Sequence, residues 1–154
     1  MNENLKLEQQ ICFPVYSVSR LITKAYIPFL KEMSLTYPQY LVLLVLWEYE
    51  TLSVNSIGEK LLLNTNTISP LIQRMEKAGL LKRERSTQDE RMVMVKLTSK
   101  GKELKKKASP IPEKLLKTLL TDDVQLADVI LVKDMMNKWI EILSENNKKN
   151  QKKD

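Results

Sequence analysis

The stretch from Ser53 to Leu97 constrains this chain more than any other, because its apolar period changes inside a short span. Ile57, Leu61 and Leu62 recur at helical spacing behind Ser53, a residue suited to cap a helix start. The run Asn64-Thr65-Asn66-Thr67 then breaks the pattern with residues that favour turns and N-caps. A second amphipathic helix follows, with Ile68, Leu71, Ile72 and Met75 on one face and Ser69, Gln73, Arg74 and Lys77 on the rest. Thr67 is its expected cap, which would leave Pro70 in the tolerant first turn. Gly79 stands where a helix C-terminus takes glycine. Two strands come next, Leu81 to Arg85 and Met92 to Leu97, around the charged loop Ser86 to Arg91. Helix, turn, helix and a hairpin wing form an arrangement that reads duplex DNA.

The chain has 154 residues, 43% of them hydrophobic, which is enough for one domain with a sizeable core. Three glycines and few aromatics favour a mainly α fold with a small β-hairpin wing. One long helix is expected from Leu5 to Met33, interrupted at Pro14 and Pro28, and Thr36 should cap a second that ends near Glu50. After the wing, Thr98-Ser99-Lys100-Gly101 opens another helix, and Pro110 and Pro112 break it before Leu115 to Leu120. Thr121-Asp122-Asp123 should cap a last helix from Val124 to Ser144, which is apolar over more than one stripe. So wide an arc implies burial against a second chain, with packing inside one chain as the alternative. The expected division is a helical dimerisation region from 1–35 and 98–145, a winged helix-turn-helix lobe at 36–97, and a disordered polar tail at 146–154.

Charge is concentrated where that reading needs it. Gln73 to Lys107 holds twelve Lys and Arg against five Asp and Glu, a net of +7; the whole chain is +6, so the remainder carries −1. Neutralising phosphates releases condensed counterions, so a basic patch supports binding to double-stranded DNA. A solvated lysine face is the alternative for Lys105-Lys106-Lys107 taken alone. There is no histidine and one cysteine, which removes the commonest general base and a structural zinc site, and neither a phosphate-cradling glycine loop nor a G-x-S-x-G elbow occurs. No cofactor or metal is expected. Neither a signal peptide nor a bilayer-length apolar run is visible, so no membrane partner is expected and the cytoplasm is the expected compartment.

Four segments, Gln10-Ile11-Cys12-Phe13, Leu35-Thr36-Tyr37-Pro38-Gln39-Tyr40-Leu41, Pro70-Leu71-Ile72-Gln73-Arg74-Met75-Glu76 and Asp89-Glu90-Arg91, resemble the MarR family, in particular its one-cysteine, peroxide-sensing OhrR-like branch. The resemblance runs from about Leu7 to Pro112 and implies a homodimer with a winged lobe on each side, bound to a pseudo-palindromic operator. Thr65, Asn66, Thr67 and Ser69 at the front of the second helix suit the major groove, and Gln73 lies one turn further on. By resemblance, Arg91 enters the minor groove and Asp89 pairs with Arg74 to hold the wing against the reading helix. A plain surface ion pair is the alternative for those two.

Cys12 is the second candidate. A lone cysteine is commonly a small buried hydrophobe. Here Tyr16 shares its helix face, and a helix beginning near Pro14 would place the thiol at an N-terminus, where free N–H groups favour an anion. The resemblance makes Cys12 the redox-sensing residue, with Tyr26 and Tyr37 reaching it from the other subunit; Pro14 stands where the family carries an aliphatic residue. The implied mechanism is a repressor released when an organic peroxide oxidises Cys12 to sulfenic acid, which condenses with a low-molecular-weight thiol as a mixed disulfide. Half-sites about one turn apart, ~34–36 Å, would then no longer match both heads. The alternatives are a regulator answering to a small phenolic ligand, a broader thiol-switched virulence or stress regulator, and, more remotely, a one-cysteine thiol peroxidase.

Overall fold

The computed structural model describes residues 5–150 and divides the chain into two compact units, 1–111 and 112–154. The first holds a 3-10 turn at Leu7–Gln9, then α1 (Cys12–Lys31), α2 (Tyr37–Tyr49), β1 (Thr51–Ser53), α3 (Val54–Leu61), α4 (Thr65–Lys77), β2 (Leu81–Arg85), β3 (Val93–Leu97) and α5 (Ser99–Ala108). α6 (Ile111–Leu119) begins at its end, and α7 (Leu126–Asn150) belongs to the second unit. The mainly helical fold with a hairpin wing is as expected.

The first helix is shorter than its apolar pattern suggested. A regular helix from Leu5 would drive the Pro14 ring into the Gln10 carbonyl, so α1 starts at Cys12 with Pro14 in its first turn. No side chain caps that start, since Ile11 has nothing to accept with. α2 begins as predicted: Thr36 is its N-cap, and the Thr36 N–H donates to Gln39 Oε1 at 2.8 Å.

The core of the first unit lies between α2, α3, α4 and the sheet, where Leu43, Leu46, Ile57, Ile68, Ile72, Met75 and Val95 are all but fully buried. Ser53 Oγ accepts from Ser56 N–H at 3.0 Å and starts α3 as expected. Leu62 does not join its apolar face. It ends the helix in the left-handed region, φ 56, with its side chain 62% exposed, because the chain must reverse there to begin α4. Gly58 makes that reversal possible: a Cβ would lie 2.9 Å from the Leu63 carbonyl oxygen, whose own N–H donates back to Gly58 O at 2.9 Å.

A third strand, β1, was not foreseen. The sheet runs β1-β3-β2, with Leu52 opposite Val95 and Lys82 opposite Lys96, all antiparallel. β3 starts at Val93 and not at Met92, whose N–H instead closes the wing-tip turn on Asp89 O. α4 ends with Gly79 at φ 72; Leu80 N–H donates to Met75 O and Gly79 N–H to Glu76 O, the paired bonds of a Schellman ending. α5 is capped by Thr98, and Trp47 Nε1 donates to Gly101 O at 2.9 Å, pinning α5 to α2.

In the second unit the last helix begins two residues later than expected and runs further. Thr121 Oγ1 accepts from Val124 N–H to close a turn, while Gln125 N–H donates to Asp128 Oδ2 at the true start of α7. Asn146 to Asn150 continue that helix, where a disordered tail was predicted; 151–154 lie outside the described residues. α7 leaves Leu126, Ile130, Leu131, Val132, Met135, Ile140, Ile142 and Leu143 exposed.

Candidate nucleic-acid interface and thiol

The cap of α4 is Asn64, not Thr67. Asn64 Oδ1 accepts from both the Thr67 N–H, at 3.0 Å, and the Thr67 hydroxyl, at 2.9 Å. The run of four cap-competent residues gave no sequence signal for choosing among them. One consequence falls on Pro70, which now lies past the first turn and cannot supply an N–H to the Asn66 carbonyl. Thr65, Asn66 and Thr67 remain exposed at the front of the helix. Asn66, Pro70, Gln73 and Arg74 then form an exposed stripe at helical spacing, opposite the buried Ile68, Leu71, Ile72 and Met75. Ser69 is half-buried at its margin.

The wing stands beside this stripe. A cleft of about 200 Å³ between α4 and the hairpin is lined by Ser69, Gln73, Arg83 and Arg91, among others. Polar hydrogen-bonding groups from the helix and two guanidinium groups from the wing thus share one concavity. The Arg74–Asp89 ion pair expected from the resemblance does not form among the described residues. Asp89 Oδ1 instead accepts from Arg91 N–H at 3.0 Å, and Ser86 Oγ accepts from the N–H groups of Gln88 and Asp89, so the acid shapes the wing tip that carries Arg91. The clasp between helix and wing is Glu76 with Arg83: Arg83 Nε donates to Oε2 at 2.7 Å and Arg83 N–H to Oε1 at 3.0 Å. The Arg83 side chain, and then its N–H, hold the Glu76 carboxyl below its ordinary pKa. Sequence reasoning missed this pair, because only the hairpin register brings Arg83 alongside α4.

Cys12 is the first residue of α1 and its thiol is exposed, not a buried filler. Tyr16 does not hydrogen-bond to it among the described residues; the Tyr16 hydroxyl accepts from Arg20 Nη1 at 3.3 Å, and the guanidinium lies 5.4 Å from the ring centre. Tyr26 and Tyr37 meet each other, ring centres 4.9 Å apart, and both meet Tyr40, which also touches Trp47 at 6.2 Å. Burial first, and then the neighbouring phenols of Tyr37 and Tyr40, push Tyr26 up to about 12; burial raises Tyr37 and Tyr40 as well. These hydroxyls are therefore proton donors at neutral pH. Among the described residues no group of three or more Cys, Asp and Glu side chains could hold a metal ion, and no helix is long and apolar enough to cross a membrane.

Residues 24–108, which span the last part of α1 and all of α2 to α5, match the family described as transcriptional regulator SarA/Rot. The chain belongs to that family. A relative, the organic hydroperoxide resistance transcriptional regulator of Bacillus subtilis (strain 168), is 50% identical over 114 residues, 74% of this chain and 78% of the relative. The regulator MgrA of Staphylococcus aureus is 36% identical over 136 residues, 86% of this chain and 92% of its own. Among solved structures, reduced AbfR bound to DNA superposes with a TM-score of 0.75 at 34% identity, covering 92% of this chain and 97% of that one. A disulfide-formed AbfR superposes with a TM-score of 0.62 at 35% identity, covering 93% and 95%. The resemblance to MarR-type, peroxide-responsive regulators read from the sequence is thereby upheld.

Proposed function

We propose that this chain is a homodimeric, DNA-binding transcriptional repressor whose hold on its operator is released by oxidation of Cys12. The observation that carries the DNA half is the concavity in which Ser69 and Gln73 of α4 meet Arg83 and Arg91 of the wing. In this reading Thr65, Asn66, Thr67, Ser69 and Gln73 read the major groove, Pro70 and Arg74 border it, and Arg91, positioned by Asp89, enters the minor groove. The helices at the two chain ends form the dimerisation region. In support, α1 leaves Phe13, Val15, Val18 and Leu21 exposed, as is Ile11 just before it, and α7 carries its own exposed apolar residues.

For the trigger, the exposed thiol at the head of α1 attacks the distal oxygen of a hydroperoxide. The O–O bond breaks, the alcohol leaves, and Cys12 becomes a sulfenic acid; a small thiol then condenses with it, releasing water and leaving a mixed disulfide. Tyr26 and Tyr37, held protonated, are the donors proposed to orient the sulfur across the subunit junction. Their counterpart in the phenolic-ligand reading is weakened by the rings packing on one another. The protein acts as a binding switch and not as a catalyst, in the cytoplasm.

The test is a gel shift of wild type and Cys12→Ser on the gene's own upstream region, with and without cumene hydroperoxide. Wild type should be released and the variant retained. Release of both overturns the thiol trigger; failure of wild type to bind any duplex at low salt overturns the DNA reading.

A further inference from the structure

The hairpin has a second face that the proposed reading of bases does not use. Along β2 and β3 the register puts Leu81, Arg83, Val93, Val95 and Leu97 on the side of α4 and the core, and Lys82, Glu84, Met94 and Lys96 on the outer side. On that outer side lies a cleft of about 390 Å³ between the base of the wing, the end of α4 and the first turn of α5. Its lining includes Lys82, Lys96, Lys100 and Lys102 and no carboxylate.

The placement of these four cations runs against local stability. Lys82 and Lys96 are directly opposed across the ladder, where like charges repel. Lys100 and Lys102 occupy the first turn of a helix that has no acidic residue there, where the helix dipole disfavours cations. Two of the four have internal partners: Lys96 Nζ pairs with Glu84 Oε2 at 2.7 Å, and Lys100 Nζ donates to Ala78 O at 2.9 Å. Among the described residues, Lys82 and Lys102 are in no ion pair. Unfavourable charge gathered around a concavity marks a place where local rules yield to a binding role.

We infer that this outer cleft is a second phosphate-binding surface, which takes the DNA backbone on the outer side of the wing. The inference rests on the DNA reading above. A hairpin set into a minor groove has a phosphate strand on each side of it, and the groove is only about 6 Å wide. The inner cleft meets one strand with Arg83 and Arg91; the outer cleft, on the other face of the same hairpin, offers ammonium groups to the other. Ammonium groups act on phosphates as point charges, so the surface adds affinity without reading sequence.

The experiment compares the full-length wild type with the double variant Lys82→Gln/Lys102→Gln. Binding is measured to a duplex of the gene's own upstream region and to a scrambled duplex of equal length, over a series of KCl concentrations. Both lysines are exposed, and matching thermal melts would show that the variant keeps its fold. The expected result is a weaker salt dependence on both duplexes, by about 0.9 in the log–log slope for each phosphate no longer neutralised and so by up to roughly 3 to 4 for a dimer. The preference for the upstream duplex over the scrambled one should be unchanged. An unaltered slope in a variant whose wild type binds normally overturns this inference alone and points to an acidic protein partner. A lost preference at unchanged slope also overturns it, by making these lysines base readers. Wild type that binds neither duplex overturns the DNA reading itself.

Discussion

Replacing Gly101 by alanine measures how tightly α5 is seated on the winged lobe. A Cβ there would lie 2.1 Å from the Leu80 carbonyl oxygen and 3.0 Å from Leu97 Cδ2. Atoms in ordinary contact are about 3.5 Å apart, so α5 must retreat by roughly 1 Å or more. That retreat stretches the Trp47 Nε1 bond to Gly101 O, now 2.9 Å, and the Thr98 cap on Gly101 N–H, now 3.2 Å. Alanine is the better helix former by about 1 kcal/mol. Overpacking costs about 1–3 kcal/mol and a weakened internal hydrogen bond about 1 kcal/mol. The net expectation is a loss of about 2 kcal/mol, which for a chain of this size lowers the melting temperature by roughly 4–8 °C. Urea and thermal titrations followed by far-UV circular dichroism read it directly. Gly79→Ala is the control, because nothing lies within 4 Å of its Cβ and only the φ of 72 resists the change. That cost is roughly 1–2 kcal/mol and should be relieved by Gly79→Asn, whereas no side chain should be accepted at Gly101. A Gly101→Ala protein that melts with or above the wild type refutes the packing argument.

Other outcomes follow from single contacts. Asn64→Ala should destabilise by about 1 kcal/mol in urea titration, since two Thr67 groups lose their acceptor, while Asn64→Asp should hold. Glu76 is a depressed acid, so its contribution is complete above its ordinary value of 4.5 and disappears as pH falls through the lower folded value. Stability of wild type should therefore drop more steeply below pH 4.5 than that of Glu76→Gln. Tyr26 is raised from 10.0 to about 12, so between those values only the unfolded chain ionises there and stability falls with rising pH. Tyr26→Phe should flatten that alkaline limb in denaturant titrations.

The helix-turn-helix was legible because its information is local: Ile68, Leu71, Ile72 and Met75 are buried where their spacing put them, and Ser53 and Gly79 do what caps do. What escaped depends on chain separation. β1 is three residues long and exists only because β3 returns to pair with it. The Glu76–Arg83 clasp needs the hairpin register, and Asp89 was drawn to its own turn by Arg91 N–H, closer in sequence than Arg74. At the thiol, the apolar period ran the helix back to Leu5 and offered a start near Pro14 only as an alternative, which is the one the structure takes; nothing in the sequence showed that Arg20 would engage Tyr16. Leu62 fooled the period count, since a turn can take a leucine outward when the reversal of direction demands it.

β3 lies between two strands that enter and leave the helix-turn-helix: β1 runs straight into α3, and β2 follows α4 across Gly79. A push on the hairpin tip is thus carried to the start of one helix and the end of the other at the same moment. Within residues 51–97 the shared sheet and the Glu76–Arg83 clasp tie the wing to the helix at one offset. A duplex whose adjacent grooves resist that offset must pay in bending energy, so stiffness as well as base identity enters the selection.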